Sequence, residues 1–373
     1  MLEIRDLKVT IGPFTIVDIE RLAVAPGRRL GIVGESGSGK TMTTMSIVGL
    51  QPAEAAVTGS IRFNGRELVG LTDRQFSSVR GREIGVIFQD PAKALNPMMR
   101  IGRQVSEAIR LHMNVPAEKL HTRVVDLLTQ VQLADARSLL QRYPHQLSGG
   151  QQQRVMIAMA IACDPKLLIA DEPTTSLDVT VQNGILELIR DLSASRNMTL
   201  LFVTHNLGVI KSISDAIAVI YGGQVVELGP TEQVINAPLH QYTHALVSAD
   251  PGIADDRDLG AVVNQRLHTI RGSVPSLDKF PSGCRFRGRC VAETSACARS
   301  PRTEDVAGHS FRCWNPARSV TGSRGAAGGP GAAGSPGAAG GPGGPGAAGG
   351  AEGPGGPGGP GAAGNQGAVD AAR

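Results

Sequence analysis

The chain has 373 residues, a net charge of +4 and only 3% aromatic residues. The length allows two or three domains. The weak charge and the scarcity of aromatic rings argue against a dedicated nucleic-acid binder, which would carry a basic stripe or stacking platforms.

The compartment is predicted from what the sequence lacks. No apolar stretch is long enough to span a bilayer, and residues 1–5 begin a strand-like alternation instead of a signal peptide. We therefore expect a protein of the cytosol or of the cytosolic face of a membrane. Cysteines there stay reduced, so the five cysteines favour a metal site over disulfides.

Strand and helix patterns alternate along the first 250 residues, which predicts an α/β fold with a largely parallel sheet. In chain order we expect strands at 2–11, 29–33, 59–63 and 84–88, helices within 41–50, 101–142 and 155–163, a strand at 167–170, a helix at 184–192, a strand at 200–203 and a hairpin over 216–228.

A glycine-rich loop separates the strand at 29–33 from the helix that follows it. The loop matches the phosphate-binding pattern G-x-x-x-x-G-K-[ST]. Its glycines let backbone N–H groups surround phosphate oxygens. Lys40 is expected to pair with the β- and γ-phosphates, and Thr41 to bind Mg²⁺. The loop consists of Gly34, Glu35, Ser36, Gly37, Ser38, Gly39, Lys40 and Thr41.

Two further motifs complement this loop. Asp171 and Glu172 close the strand at 167–170, where Asp171 suits Mg²⁺ and Glu172 suits a base that polarises an attacking water. Before the helix at 155–163, Ser148 and the N–H groups of Gly149 and Gly150 form a second candidate anion site at a helix start.

Together these motifs resemble the nucleotide-binding subunit of an ATP-binding cassette (ABC) transporter. The resemblance implies a P-loop NTPase fold with a RecA-like core, an N-terminal antiparallel β subdomain and a helical subdomain. It also implies a head-to-tail dimer, with ATP and Mg²⁺ between one subunit's phosphate loop and the other's signature motif, which here includes Ser148 to Gln151.

The same resemblance assigns three more residues. Gln89 would join Mg²⁺ and the contact to the membrane domain. Asp178, in Ser176-Leu177-Asp178, would lie in the loop that crosses the dimer interface. His205 would contact the γ-phosphate. The adenine-stacking position departs from the family pattern, because Ile11 stands there with Phe14 three residues on.

A narrower resemblance points to the peptide and nickel importer branch. It rests on Phe88–Pro91 followed by Ala94–Pro97, on Pro238–Leu246, and on Pro281–Cys290. It implies the ATPase subunit of a dipeptide or oligopeptide importer. Alternatives are an importer of nickel or another small solute, a soluble ABC ATPase without a transporter, and a regulatory subunit, against which the intact site motifs argue.

Such an importer implies several partners. They are two membrane permease subunits, an extracytoplasmic substrate-binding protein and a second ATPase subunit, for which a homologous chain is favoured over a second copy. No nucleic acid is expected. The chain would lie at the cell membrane, peripherally, on its cytoplasmic side.

Four cysteines, Cys284, Cys290, Cys297 and Cys313, have the spacing C-x5-C-x6-C-x15-C. Four thiolates in so short a segment suit one metal site. In the importer branch the cluster resembles an iron–sulfur site, so [4Fe–4S] is favoured, with structural zinc or free thiols as alternatives. The neighbouring arginines would offset cluster charge or simply be solvated.

The domain prediction has three parts. They are an ATP-binding domain at 1–248, a C-terminal cysteine-containing domain at 249–320, and a low-complexity tail at 321–373. From 322 to 369 glycine recurs at every third position, broken once by Glu352, which resembles a collagen repeat. We expect a disordered tail, with a collagen-like trimer or another bound structure as alternatives. The phosphate loop and the cysteines are thus assigned to different domains.

Overall fold

Two sheets organise the chain. The computed structural model describes residues 1–175, 177–250, 253 and 269–317, so the predicted tail lies outside the described residues. The first sheet is antiparallel, with the strand order β2-β1-β4-β5. Its strands are β1 Leu2–Ile11, β2 Phe14–Val24, β4 Ala55–Phe63 and β5 Arg66–Glu67. This sheet confirms the expected N-terminal β subdomain.

The second sheet has eight strands in the order β11-β12-β10-β9-β3-β8-β7-β6. Its five strands from β9 to β6 in that order are parallel to one another, and the other three are antiparallel additions. The strands are β3 Arg29–Val33, β6 Ile84–Ile87, β7 Leu167–Asp171, β8 Thr199–Thr204, β9 Ala216–Tyr221, β10 Gln224–Pro230, β11 Glu304–Val306 and β12 His309–Phe311.

The central strands are apolar on both faces because both faces are covered. Along β7, Leu167 and Ile169 pack into a core shared with the antiparallel sheet. Leu168 and Ala170 point the other way, into a core shared with the helices. This two-sided burial explains why the strand lacks the alternation of a half-exposed strand.

Eleven α-helices are present among the described residues. The predicted helical stretch at 101–142 is divided into three helices, and the predicted helix at 155–163 begins earlier, directly after Ser148. The helices are α1 Lys40–Ile47, α2 Asp73–Phe76, α3 Pro91–Ala94, α4 Ile101–His112, α5 Ala117–Gln130, α6 Ala136–Leu139, α7 Gly149–Ala160, α8 Val179–Ser195, α9 Leu207–Ile213, α10 Thr231–Asn236 and α11 Gln241–Ala249. None of these helices is long and apolar enough to cross a membrane.

The segment that contains the cysteines packs on the eight-stranded sheet and extends it. Strand β12 pairs with β10, and Phe311 is buried in the core. The buried carboxylate of Glu227 accepts hydrogen bonds from the backbone N–H groups of Leu239 and His240. His309 Nε2 lies 2.6 Å from the same carboxylate. These contacts fix the C-terminal strands to the sheet.

Candidate functional site

The candidate site lies where neighbouring parallel strands end. Strands β3, β8 and β7 are adjacent in the sheet, and the loop from Gly34 to Thr41, His205 and Glu172 follow their carboxyl ends. Ligands of open α/β sheets bind at this edge. The topology therefore brings together residues that are more than 100 positions apart in the sequence.

Lys40 is held inside its own loop. Its side chain is 4% exposed, and Nζ donates hydrogen bonds to the carbonyl oxygens of Gly34 at 2.9 Å and Glu35 at 3.0 Å. Burial lowers the pKa of Lys40, while the nearby carboxylates of Glu172 and Asp171 oppose that shift. The ammonium group is thus positioned by the loop before any phosphate enters.

Gly34 is required by the close approach of another strand. A Cβ atom at this position would collide with the carbonyl oxygen of Ile220 in β9. At the end of the loop, Gly39 has φ +97°, a left-handed conformation that costs glycine little. Both glycines therefore have a structural reason that agrees with the predicted phosphate loop.

Asp171 has the features of a cation ligand. It is 3% exposed, and its Oδ1 has no hydrogen-bond partner among the described residues. Its other oxygen, Oδ2, lies 3.5 Å from Thr44 Oγ1. Burial raises the pKa of Asp171, and the neighbouring Thr41 side chain opposes that shift. An orphaned buried carboxylate oxygen beside Thr41 fits Mg²⁺, which prefers such oxygen ligands.

Glu172 is the meeting point of the predicted catalytic residues. Gln89 Nε2 donates to its Oε2 at 3.3 Å, and His205 Nδ1 lies 3.5 Å from the same atom. Lys40 Nζ lies 3.8 Å from Oε1. Glu172 itself has φ +46°, an uncommon conformation for a residue with a side chain, of the kind that clusters at functional sites.

Thr175 also contacts this carboxylate and was not singled out from the sequence. Its hydroxyl donates to Glu172 Oε2 at 3.0 Å. Thr44 similarly reaches Asp171, as described above. Both threonines lie one helical turn or less from a predicted residue, which is the only signal the sequence offers for them.

The residues of the second anion motif form a separate group. Ser148 caps α7 in a capping box, in which its Oγ accepts from Gln151 N at 3.3 Å and Gln151 Oε1 accepts from Ser148 N at 3.0 Å. A Cβ atom at Gly149 would lie 3.6 Å from Leu177 Cδ2, and one at Gly150 would lie 2.7 Å from Val181 Cγ1.

Asp178 caps the next helix in the same neighbourhood. Its Oδ1 accepts a hydrogen bond from Val181 N at 3.0 Å. The described hydrogen bonds and ion pairs do not join this group to Lys40. Ser176 of the same loop lies outside the described residues.

The four cysteines of the C-terminal segment line one small cavity together with Phe286, Trp314 and Asn315. None of the four forms a disulfide. Burial raises the pKa of Cys290 to about 11 and raises the pKa values of Cys284 and Cys313. Among the described residues, no group of three or more His, Cys, Asp or Glu side chains is arranged to hold a single metal ion.

One contact joins the phosphate loop to the segment that contains the cysteines. Arg289, adjacent to Cys290, forms a two-point ion pair with Glu35 of the phosphate loop, at 2.7 and 2.9 Å. In addition, Glu35 N donates to the hydroxyl of Tyr242 at 2.9 Å. The sequence signal that could have indicated Arg289 was the carboxylate of Glu35, because a carboxylate inside a phosphate loop needs a cationic partner.

The other two arginines of this segment differ from Arg289. Arg287 pairs with Glu293 near the surface at 2.9 Å. Arg285 donates to the carbonyl oxygen of Gly222 and lies over the ring of Phe280. Neither Arg285 nor Arg287 is therefore simply a solvated side chain.

At the adenine position the structure places both candidate residues side by side. Ile11 and Phe14 are partners across the β1–β2 turn, and the Phe14 ring is 38% exposed. The ring is therefore accessible at the tip of the hairpin.

Comparisons with known proteins agree with this geometry. The ABC transporter family model matches residues 18–175, and the model for the C-terminal region of oligopeptide/dipeptide transporters matches residues 226–297. The oligopeptide transport ATP-binding protein OppD of Salmonella typhimurium is 40% identical, over 86% of this chain and 95% of that protein. The dipeptide transport ATP-binding protein DppD of Escherichia coli is 42% identical, over 85% and 97%.

A solved structure shows the same fold. The ATP-binding cassette MJ0796, in a dimeric post-hydrolysis state bound to ADP and Pi, is 26% identical, with a TM-score of 0.55 over 62% of this chain and 99% of that one. Strand order, phosphate loop, family models and relatives therefore lead to one conclusion: the chain belongs to the family of ABC transporter ATP-binding proteins and is an ABC-type ATPase.

Proposed function

We propose that this chain is the ATP-hydrolysing subunit of an importer for dipeptides or oligopeptides. The observation that carries the proposal is the convergence of Lys40, Gln89, Glu172 and His205 at one sheet edge. The chain also matches the C-terminal region of oligopeptide/dipeptide transporters, and its relatives are named for peptide transport. Those names favour peptides over nickel as the solute.

In this proposal each residue of the ATP site has a distinct role. The loop from Gly34 to Thr41 holds the phosphates with its N–H groups, and Lys40 pairs with the β- and γ-phosphates. Thr41, Gln89 and Asp171 hold Mg²⁺, which neutralises charge on the phosphates. Glu172 orients and polarises the attacking water.

His205 contacts the γ-phosphate in the same proposal. It is 57% exposed, so its ring can turn from Glu172 toward a bound nucleotide.

The second anion motif acts across a dimer in this proposal. Ser148, Gly149, Gly150 and Gln151 face the nucleotide bound to the phosphate loop of a second ATPase subunit, and Asp178 lies at the interface. The related cassette MJ0796, which is described as dimeric, supports that arrangement. A homologous second chain is expected rather than a second copy.

The remaining partners follow from the importer assignment. They are two permease subunits and an extracytoplasmic substrate-binding protein. We place the chain at the cytoplasmic side of the cell membrane, as a peripheral subunit, where closure of the ATPase dimer can drive the permeases.

We also propose that the cysteine cavity holds a [4Fe–4S] cluster, ligated by Cys284, Cys290, Cys297 and Cys313. The supporting observation is that the side chains of all four cysteines line one cavity. In a cluster with four irons each thiolate binds a different iron atom, so four cysteines are enough to ligate it.

The test uses Glu172→Gln in a strain that lacks the native gene. Removing a placed base should lower ATP turnover about 10²- to 10⁴-fold and abolish uptake of labelled di- and oligopeptides. ATP binding should remain, because Glu172 does not hold the phosphates. Glu187→Gln, an exposed glutamate of α8, is the matched control and should behave as wild type.

Two outcomes would count against the proposal. Wild-type turnover in Glu172→Gln would refute the role of Glu172. Loss of nickel uptake with normal peptide uptake in the deletion strain would refute the peptide assignment.

A further inference from the structure

We propose that Arg289 is a positioning residue of the ATP site, which prepares the phosphate loop by neutralising and orienting Glu35. The inference rests on the ATP-binding role proposed above. It assigns to the C-terminal segment a direct part in nucleotide affinity.

The first argument is the completeness of the contacts around Arg289. Its side chain is 6% exposed, and both terminal nitrogens bond Glu35, to Oε2 at 2.7 Å and to Oε1 at 2.9 Å. Nε donates to the carbonyl oxygen of Arg271, and the terminal nitrogens also reach Tyr221 and Gly272. All five N–H donors of a guanidinium are thereby occupied in a fork that lysine cannot reproduce.

The second argument is that the loop is held at two points. Arg289 holds the side chain of Glu35, while Tyr242, which is fully buried, accepts the backbone N–H of the same residue. The carbonyl oxygen of Glu35 in turn accepts from Lys40 Nζ at 3.0 Å. A short chain of contacts therefore runs from Arg289 through Glu35 to the lysine that would bind phosphate.

The third argument is electrostatic. A carboxylate in a phosphate loop repels a triphosphate, and Glu35 is only 27% exposed, so water screens it incompletely. Pairing with Arg289 cancels that charge and leaves Lys40 as the dominant charge facing the phosphates. Without Arg289, Glu35 would oppose nucleotide binding and would be free to disturb the bond to Lys40.

The experiment measures the affinity of the purified full chain for mant-ATP with Mg²⁺, together with its melting temperature. Arg289→Ala should weaken mant-ATP binding by about tenfold, because one partner of a hydrogen-bonded charge pair is lost. The affinity of Arg289→Lys for mant-ATP should lie between that of the wild type and that of Arg289→Ala. Arg302→Ala removes the same charge from an exposed position of the same segment and should leave affinity unchanged.

Two further readouts separate positioning from simple loss of stability. Adding Glu35→Gln to Arg289→Ala should restore most of the lost affinity, since the unpaired carboxylate is gone. The loss in Arg289→Ala should also shrink at high KCl, because salt screens repulsion. In the ATPase assay of the assembled transporter, the change should be in KM for ATP and not in kcat.

The proposal is overturned if Arg289→Ala binds mant-ATP as wild type does, or if Glu35→Gln fails to restore its affinity. If Arg289→Ala does not fold, a double-mutant cycle with Arg289→Lys and Glu35→Gln replaces it. The proposal is supported if the effects of the two substitutions on mant-ATP affinity are coupled, and it is overturned if they are additive. A wild-type chain that does not bind mant-ATP would instead refute the proposed function.

Discussion

At the scale of single residues, Asp171 shows how burial and function are linked. A carboxylate that is 3% exposed, with one oxygen lacking a partner among the described residues, is costly in the absence of a cation. The raised pKa of Asp171 has this burial as its main cause. Such a group is destabilising for the free protein but favourable when Mg²⁺ is bound.

This arrangement predicts the behaviour of Asp171→Asn. The substitution should abolish the enhancement of ATP binding by Mg²⁺, while binding in EDTA and the melting temperature should stay at least at wild-type levels. Titration with mant-ATP in Mg²⁺ and in EDTA measures this, with the exposed Asp191→Asn as control. If Mg²⁺ enhances mant-ATP binding equally in both variants, Asp171 is not a ligand of the Mg²⁺ ion.

At the scale of elements, local sequence patterns predicted which segments form helices or strands, whereas the residues at which the helices begin depend on capping side chains. Helix α8 begins at Val179 because Asp178 caps it, five residues before the apolar pattern had suggested. Strands β11 and β12 escaped prediction because each has three residues, too few for a periodic pattern. Strand β12 exists through pairing with β10, a tertiary contact, and β11 exists through pairing with β12.

The prediction at the scale of elements concerns the segment that contains the four cysteines. Anaerobically purified wild-type chain should be brown, with about four irons per chain. Cys290→Ser should lose the iron, and it should weaken mant-ATP binding as well, because Arg289 is its direct neighbour and holds Glu35. Metal analysis and nucleotide titration measure both effects.

Cys163→Ser is the control, because this half-buried thiol contacts Ala108 in the helical region, away from the cavity. One zinc per chain, or no metal at all, would contradict the cluster. Full iron loss with unchanged mant-ATP affinity would show that the phosphate loop does not sense the cysteine site.

At the scale of the whole molecule, the C-terminal segment and the tail should differ sharply. Apart from two valines, the apolar side chains from 320 onward are small alanines, so truncation after Ser319 should leave ATPase activity and melting temperature unchanged. Truncation after Ser300 removes β11 and β12. It deletes the buried ring of Phe311 and takes His309 from the buried carboxylate of Glu227.

The shorter chain should therefore lose about 3 kcal/mol or more of stability, as the loss of a buried aromatic ring alone implies. Thermal melts of the two truncated chains compare them directly. A lower melting temperature after truncation at Ser319 would show that the tail packs on the body of the protein.

The sequence by itself predicted where the ATP site lies and which residue types form it. The loop from Gly34 to Thr41 and the pair Asp171 and Glu172 were recognisable because each is a contiguous motif beside a buried strand. Local spacing also predicted the parallel sheet.

Only the tertiary structure decided which distant residues meet. The contact of Arg289 with Glu35 joins positions 254 residues apart, and no periodic pattern or motif links them. The same holds for His309 and Glu227. Burial, charge pairing and strand order are properties of the folded chain, because they depend on what packs alongside a residue and not on what precedes it.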